Sequence, residues 1–383
     1  MTDLIENFLP SQYRQNDEYK INHNYLRDQF SDKDQILEKI RRVVERGDFT
    51  LGEEVDLFER EFASLSGVKF AVGVGSGTDA LFLSLKAHGV GPGDEVITTP
   101  FTFYATIGAI VTAGAKPIFV DAGEDFNIDY SLIESKITSS TKAIMPVHWS
   151  GRPCEMDQII DIGARKNIPI ISDACHAIKA EYKGNKIGGL GEVACFSFHP
   201  LKNLNVWGDG GIVATNSSEV AAKLRLLRNH GLASRDECQV FAYNSRLDTI
   251  QAVVARHMLE KIESITESRI NNAHYFDEAL SSITQISIPH RHVHLKEVFH
   301  LYSIVCERRN ELQKFLNQNG VDAKIHYPVP MHLQPAASHL GYKQGDFPIA
   351  EKLSKNTISL PVHEFITKAD CDHVIKLIQH FYG

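Results

Sequence analysis

Between residues 69 and 215 short apolar runs alternate with helical patterns, and this alternation restricts the fold more than any other feature. Strands are predicted at Lys69–Val74, Glu95–Thr99, Pro117–Val120, Ala143–Val147, Ile168–Ser172, Val193–Phe198 and Gly211–Thr215. Helical stretches such as Asp79–His88 and Asp157–Arg165 separate several of them. Strand alternating with helix is the pattern of a mostly parallel sheet covered on both faces. Upstream, Ile36, Ile40, Val43 and Val44 repeat at helical spacing over 34–46, and Gly47-Asp48 and Gly52 break that run. Val55, Phe58, Phe62 and Leu65 predict a second helix. From about Leu247 the pattern changes to one long helix, Asp248–Ile265, followed by a smaller mixed region. The expected domains are 1–250, large and including the N-terminal helical segment, and 251–383, smaller and α+β.

At 383 residues, 43% apolar and 23% charged, the chain is ordinary globular material with enough length for two cores. A net charge of −8 argues against non-specific nucleic-acid binding. Cys154, Cys175, Cys195, Cys238, Cys306 and Cys371 form no CxxC pair, so they read as reduced thiols of a cytoplasmic protein. The start, Met1-Thr2-Asp3-Leu4-Ile5-Glu6, is acidic and has no apolar signal region, and no apolar run reaches membrane-spanning length.

Three segments could carry chemistry. Gly75-Ser76-Gly77-Thr78 joins a strand to a helix. Glycines allow close approach of a ligand, and a helix N-terminus offers free N–H groups to an anion. The same residues would also serve as a plain capped turn. The run lacks the GK[ST] of a nucleotide-triphosphate loop. Asp173 follows the strand Ile168–Ser172, and ligands of open α/β sheets gather at such strand ends. An acid there can hold a proton on a heterocyclic nitrogen, or simply cap a helix. Lys202 sits in an uncharged run, Ser197–Trp207, that closes on Gly208-Asp209-Gly210-Gly211. Desolvation would lower its pKa and make its amine a nucleophile toward aldehydes, whereas a surface lysine in a turn would do neither. Phosphate cradle, strand-end acid and mid-chain lysine are, in this order, the three anchors of pyridoxal phosphate.

With these residues in hand, the chain resembles the DegT/DnrJ/EryC1/StrS family of sugar aminotransferases, a branch of the fold type I enzymes, from about residue 20 to the end. The matching stretches are Phe49-Thr50-Leu51-Gly52, Val74–Leu81, Gly93–Ile97, Pro100-Phe101-Thr102-Phe103, Ser172–Ala177, Ser197–Gly211, Tyr243–Leu247, His326-Tyr327-Pro328 and Leu360-Pro361. The resemblance implies a seven-stranded, mostly parallel sheet in the large domain. It implies that Lys202 is the lysine bonded to the cofactor and that Asp173 pairs with the pyridinium nitrogen. His176 would bond the ring oxygen, and Phe103 would stack on the ring. Gly77, Thr78 and Ser197 would hold the phosphate, completed by Asn244 of a neighbouring subunit. Arg246 would meet the carboxylate of the amino donor, glutamate, and His326 would lie near the sugar nucleotide. Such a site makes a homodimer obligatory. A lysine rather than histidine at 202 implies transamination, passing through pyridoxamine phosphate. The run Lys202–Gly211, with Asp209 before the paired glycines, is more like members that aminate C3 of a keto-sugar than C4. Where the family's usual run is His-x-Tyr-Gly, this chain has His148-Trp149-Ser150-Gly151, and Trp149 in place of the expected small or aromatic variants predicts a different sugar pocket.

His290, His292 and His294 would share one face of a strand, a spacing open to a metal. The flanking Arg291, Lys296 and Glu297 predict an exposed edge instead, so no metal site is expected. The charged stretch Glu38–Arg46 reads as a solvated helix face. The leading expectation is therefore a nucleotide-sugar aminotransferase. A keto-cyclitol aminotransferase and a cofactor-binding regulator without turnover are the rivals.

Overall fold

The computed structural model describes residues 16–383, so the acidic start, Met1–Glu6, lies outside the described residues. Two helices, α1 (Lys33–Arg46) and α2 (Glu53–Ser66), lead into an alternating core. That core runs β1 (Phe70–Val74), α3 (Gly77–Ala87), β2 (Glu95–Thr98), α4 (Tyr104–Thr112), β3 (Lys116–Phe119), β4 (Thr141–Ile144), α5 (Met156–Lys166), β5 (Ile171–Asp173), β6 (Val193–Ser197), β7 (Gly211–Thr215) and α6 (Ser218–Arg228). The strands lie in the order β3-β2-β4-β5-β6-β7-β1. Bridges Ile144–Ile170 and Val147–Asp173 join β4 to β5 and make one seven-stranded sheet. All neighbours are parallel except β7, which runs against both β6 and β1.

Each strand divides its side chains between two cores. In β6, Ala194 and Phe196 pack with α1, α2 and α5, while Val193 and Cys195 pack with α3, α4 and α6. A strand buried on both faces has no polar alternation, which is why these strands appear in the sequence as continuous apolar runs. The parallel strands β1, β2, β5 and β6 deliver their C-terminal ends to one edge of the sheet, where the candidate residues gather.

The single helix expected over Asp248–Ile265 is two helices, α7 (Thr249–Leu259) and α8 (Ile262–Leu280). At the break the Lys261 N–H bonds the Met258 carbonyl, three residues back, and Lys261 Nζ is tied to Asp32 at 2.6 Å. Neither glycine nor proline marks the spot. Val253, Met258, Ile262 and Ile265 all join the same core, so the apolar periodicity runs through the break unchanged. Further along, Ala273, Phe276 and Leu280 of α8 enter a second core. It is built on β8 (Tyr302–Cys306) and β9 (Thr357–Leu360), antiparallel, with Ile286–Ser287 on the outer side of β8. α9 (Arg309–Gln318) and α11 (Lys368–Tyr382) cover it, while α10 (Pro348–Asn356) packs with Phe101, Phe119 and Trp149.

The charges at 291 and 297 do not form an exposed edge. Glu297 is buried and accepts from Arg152 at 2.8 Å and from Arg291 at 2.7 Å. Arg291 also holds Asp277, which accepts from the Tyr302 hydroxyl at 2.8 Å. The acids and bases pair with one another, which single-residue polarity does not reveal. Buried Arg152 thereby fastens the loop after β4 to α8. Removing one partner of a buried ion pair costs about 3–5 kcal/mol. Arg152→Met is expected to lower the unfolding free energy by that amount, measurable by urea titration of the purified protein.

Candidate active site

β1 ends at Val74, and α3 starts at Gly77. Ser76 caps the helix, its Oγ accepting the Asp79 N–H at 3.0 Å. The N–H groups of Gly77 and Thr78 have no intrahelical acceptor and face outward from a positive helix end. Gly77 is required by space: a Cβ there would sit 2.5 Å from Ser197 Cβ and 3.1 Å from Cys175 Sγ. Gly211 is required too, since its Cβ would lie 2.2 Å from the Ser76 carbonyl oxygen. The two glycines let β6, β7 and the cradle close on one another. Ser197 Oγ accepts the His199 N–H at 3.3 Å, which leaves its own proton for another acceptor.

Asp173 is the last residue of β5 and is buried. One carboxylate oxygen accepts from Thr106 Oγ1 at 2.8 Å, the other from the Cys175 N–H at 3.2 Å. Thr106 in turn shares a 2.7 Å contact with Thr102 Oγ1. Lys202 lies on the loop between β6 and the antiparallel β7. That loop is closed at its base by Phe198 N–H to Gly210 O, and its own turn by Lys202 N–H to His199 O, both 2.8 Å. Asn203, Leu204, Asn205 and Val206 plug it into the core. Burial pushes the Lys202 ammonium pKa below its ordinary value, against the opposing pull of Cys175 and Asp173. Asp173 and Lys202 are thus brought together by adjacent strands, in register Asp173–Cys195.

His176 accepts the Ser150 N–H on Nδ1 at 3.2 Å. Its proton therefore resides on Nε2, which becomes the ring's one donor. Burial first, then Lys202 and His326, hold it neutral by driving its pKa well down. The Phe103 ring is 46% exposed although it precedes α4 inside this cluster. Tyr327 lies 5.5 Å from it, stacks at 18° on Trp149 and has its phenol pKa raised by burial and then Asp173. Trp149 is 2% exposed, so it backs Tyr327 and does not line a pocket wall directly. His326 bonds Ser359 Oγ at 3.0 Å, and burial followed by Lys202 lowers its pKa to about 4.

Asn244 and Arg246 stand apart. Between them, Ser245 Oγ accepts the Gly75 N–H at 3.1 Å and clamps the segment to the cradle. Arg246 donates to Asn229 Oδ1 at 3.1 Å, and Asn244 is exposed. Among the described residues, no hydrogen bond or ion pair joins either one to Lys202 or Asp173. The histidines at 290, 292 and 294 lie on a loop, not along a strand, and His294 Nε2 is held by Glu155 at 2.9 Å. Among the described residues no group of three His, Cys, Asp or Glu side chains is arranged to hold a metal. No helix among them is long and apolar enough to cross a membrane.

The model of the DegT/DnrJ/EryC1/StrS aminotransferase family matches residues 31–379. The chain belongs to that family. A relative named a pleiotropic regulatory protein, from Geobacillus stearothermophilus, is 41% identical over 91% of this chain and 95% of its own length. The dTDP-3-amino-3,4,6-trideoxy-alpha-D-glucose transaminase of Streptomyces venezuelae is 38% identical over 89% and 90%. The crystal structure of S. venezuelae DesV in complex with a ketimine intermediate superposes with a TM-score of 0.92, at 37% identity, covering 94% of this chain and 97% of that one. NtdA from Bacillus subtilis with bound cofactor PMP superposes at 0.88, with 29% identity over 96% and 87%. The fold is accordingly that of fold type I.

The residues fit a phosphorylated pyridine aldehyde. The cradle has two free N–H groups, Phe103 exposes a flat ring, and a lysine and a carboxylate converge beside it. Thr106 and His300 lie outside every stretch singled out in the sequence, and Tyr327, within His326-Tyr327-Pro328, has no role assigned there. Thr102 lies before α4 and its N-cap Phe103, so the four-residue spacing to Thr106 follows no helix face and marks neither residue.

Proposed function

We propose that this chain transfers the amino group of L-glutamate to a nucleotide-linked 3-keto sugar, using pyridoxal phosphate, for amino-sugar or cell-surface polysaccharide synthesis. The observation that carries the reading is the convergence of Asp173 and the desolvated Lys202 at the ends of neighbouring strands. Bound there, pyridoxal phosphate supplies an aldehyde carbon and a ring that accepts negative charge from the donor's Cα. Lys202 would be the residue that holds that carbon, and its neutral amine would carry the proton between the donor's Cα and the cofactor's C4′. Asp173 keeps the ring nitrogen protonated, with Thr106 and the Cys175 N–H holding the carboxylate in line. His176 Nε2–H would donate to the ring oxygen. Phe103 would cover one ring face, and Gly77, Thr78 and Ser197 would hold the phosphate.

Asn244 and Arg246 serve the site of a second copy, Asn244 at the phosphate and Arg246 at the donor carboxylate. The exposure of Asn244, and of Val240, the 98% exposed Phe241 and Tyr243 beside it, supports such an interface. His326 borders the sugar-nucleotide side. Amination at C3 is supported by Asp209-Gly210-Gly211 and by the 3-amino product in the name of the S. venezuelae relative.

The test is the reverse half-reaction. The enzyme, reconstituted with pyridoxal phosphate, is offered a panel of dTDP- and UDP-linked 3-amino and 4-amino sugars. The absorbance band at roughly 410–430 nm is expected to collapse with 3-amino sugars and with glutamate. Response to 4-amino sugars alone would overturn the C3 assignment. The name of the 41% relative favours a second reading, a cofactor-binding regulator. It predicts a stable band that no amino donor discharges.

A further inference from the structure

His300 occupies a residue-scale niche that no role above uses. Its loop, Val298-Phe299-His300, is held from four sides. The Val298 N–H bonds the Gly151 carbonyl at 3.1 Å, and the Leu301 N–H bonds that of Ser150 at 3.3 Å. Asn203 Nδ2 donates to the Val298 carbonyl at 3.1 Å. Buried Arg269 donates to the carbonyls of Phe299 and His300 at 3.2 and 3.3 Å. Within this clamp Phe299 sits at φ 45°, a left-handed conformation that a bulky side chain avoids unless its surroundings impose it. Five hydrogen bonds over the four residues 298–301 fix the backbone that carries one imidazole.

The ring of His300 faces two parts of the site. Its centroid is 4.3 Å from that of His176. Its Nδ1 lies 3.4 Å from Asn203 Oδ1. Because Asn203 Nδ2 is committed to Val298, the oxygen of the amide faces His300, and Nδ1 is the donor. Asn203 directly follows Lys202. We propose that His300 is a positioning residue for the amino-transfer site, fixing the Lys202 turn through Asn203 and the His176 imidazole through ring contact.

The electrostatics agree with this geometry. Asp173, Cys175, His176, His199, His300 and His326 all face Lys202 within Coulombic reach. Burial is the first cause of the low pKa of Lys202, and it persists only while the turn keeps the amine inside. Burial likewise drives the His300 pKa well down, so a neutral ring adds no charge beside the amine.

The proposal rests on Lys202 being the cofactor-binding lysine, and its test separates the two. His300→Phe keeps the ring and loses the donor. His300→Asn returns a donor near the position of Nδ1, and Asn203→Ser removes the acceptor from the other side. In cofactor-free protein, the pH profile of Lys202 arylation by trinitrobenzenesulfonate is read on the Lys202 peptide by mass spectrometry. Wild type and His300→Asn are expected to share a midpoint below that of an ordinary lysine. In His300→Phe and Asn203→Ser the midpoint moves up toward that of an ordinary lysine, so at any pH below the wild-type midpoint Lys202 reacts about tenfold more slowly. Pyridoxal phosphate affinity, from quenching of tryptophan fluorescence, should weaken in the same two variants. One midpoint for all four proteins, or His300→Asn as impaired as His300→Phe, overturns the proposal. Wild type that takes up no pyridoxal phosphate overturns the functional reading instead, while the labelling midpoints still decide the role of His300.

Discussion

Lys202→Ala is expected to abolish turnover, with kcat falling on the order of 10⁴-fold or more, since both the covalent anchor and the proton carrier are lost. The protein should still purify with pyridoxamine phosphate, because the cradle, Asp173 and Phe103 are untouched. Single-turnover assays with glutamate and absorbance spectra check both halves. Near wild-type turnover would remove Lys202 from the mechanism. A volume-conserving Lys202→Met variant carries a second expectation. The amine's pKa in the folded protein lies below its unfolded value, because burial disfavours the charge. In the window between those two values the unfolded chain binds more protons, so wild-type stability rises with pH there and the burial penalty fades. Below the folded value the penalty is present in full. Lys202→Met should therefore be more stable than wild type at neutral pH, with the advantage shrinking as pH climbs toward the unfolded value. An equal melting temperature across that range would show that the amine is not desolvated.

How far the chain could be read in advance depended on whether each signal was local. The strands were legible because burial on both faces leaves apolar runs with sharp ends, as in Val193–Ser197. Lys202 and Asp173 were legible because a lone lysine in an uncharged loop and an acid closing a buried strand are chemically conspicuous. The features that escaped are relational. Thr106 meets Asp173 across 67 residues, and His300 meets Asn203 across 97. Nothing near Thr106 or His300 in sequence distinguishes them from any half-buried threonine or histidine. The break between α7 and α8 escaped because both helices bury their apolar faces in one core. Arg291 and Glu297 were misread as an edge because their charges are neutralised by Asp277 and Arg152, from other parts of the chain. Trp149 was visible as a departure, but its burial behind Tyr327 follows from the turn at Ser150, which has φ 56°.

Asp173→Asn separates charge from shape at the second essential group. The amide is nearly isosteric, and its oxygen can still accept from Thr106 Oγ1, now 2.8 Å from the carboxylate. What disappears is the negative charge that keeps a proton on the ring nitrogen. Breaking a buried charge pair costs about 3–5 kcal/mol. At about 1.4 kcal/mol per decade, kcat for glutamate should drop on the order of 10²–10⁴-fold. KM and cofactor retention should change much less, because Lys202 and the cradle still hold the aldehyde and the phosphate. Proton removal from the donor's Cα should become rate-limiting, seen as a larger rate difference between ordinary and Cα-deuterated glutamate. An N-methylated cofactor, whose ring nitrogen carries a fixed positive charge, should restore a large part of the lost rate in Asp173→Asn. That rescue is specific. If Asp173 merely braced the loop through Thr106 and the Cys175 N–H, the methylated cofactor would give no recovery, and the assignment of Asp173 to the ring nitrogen would fall.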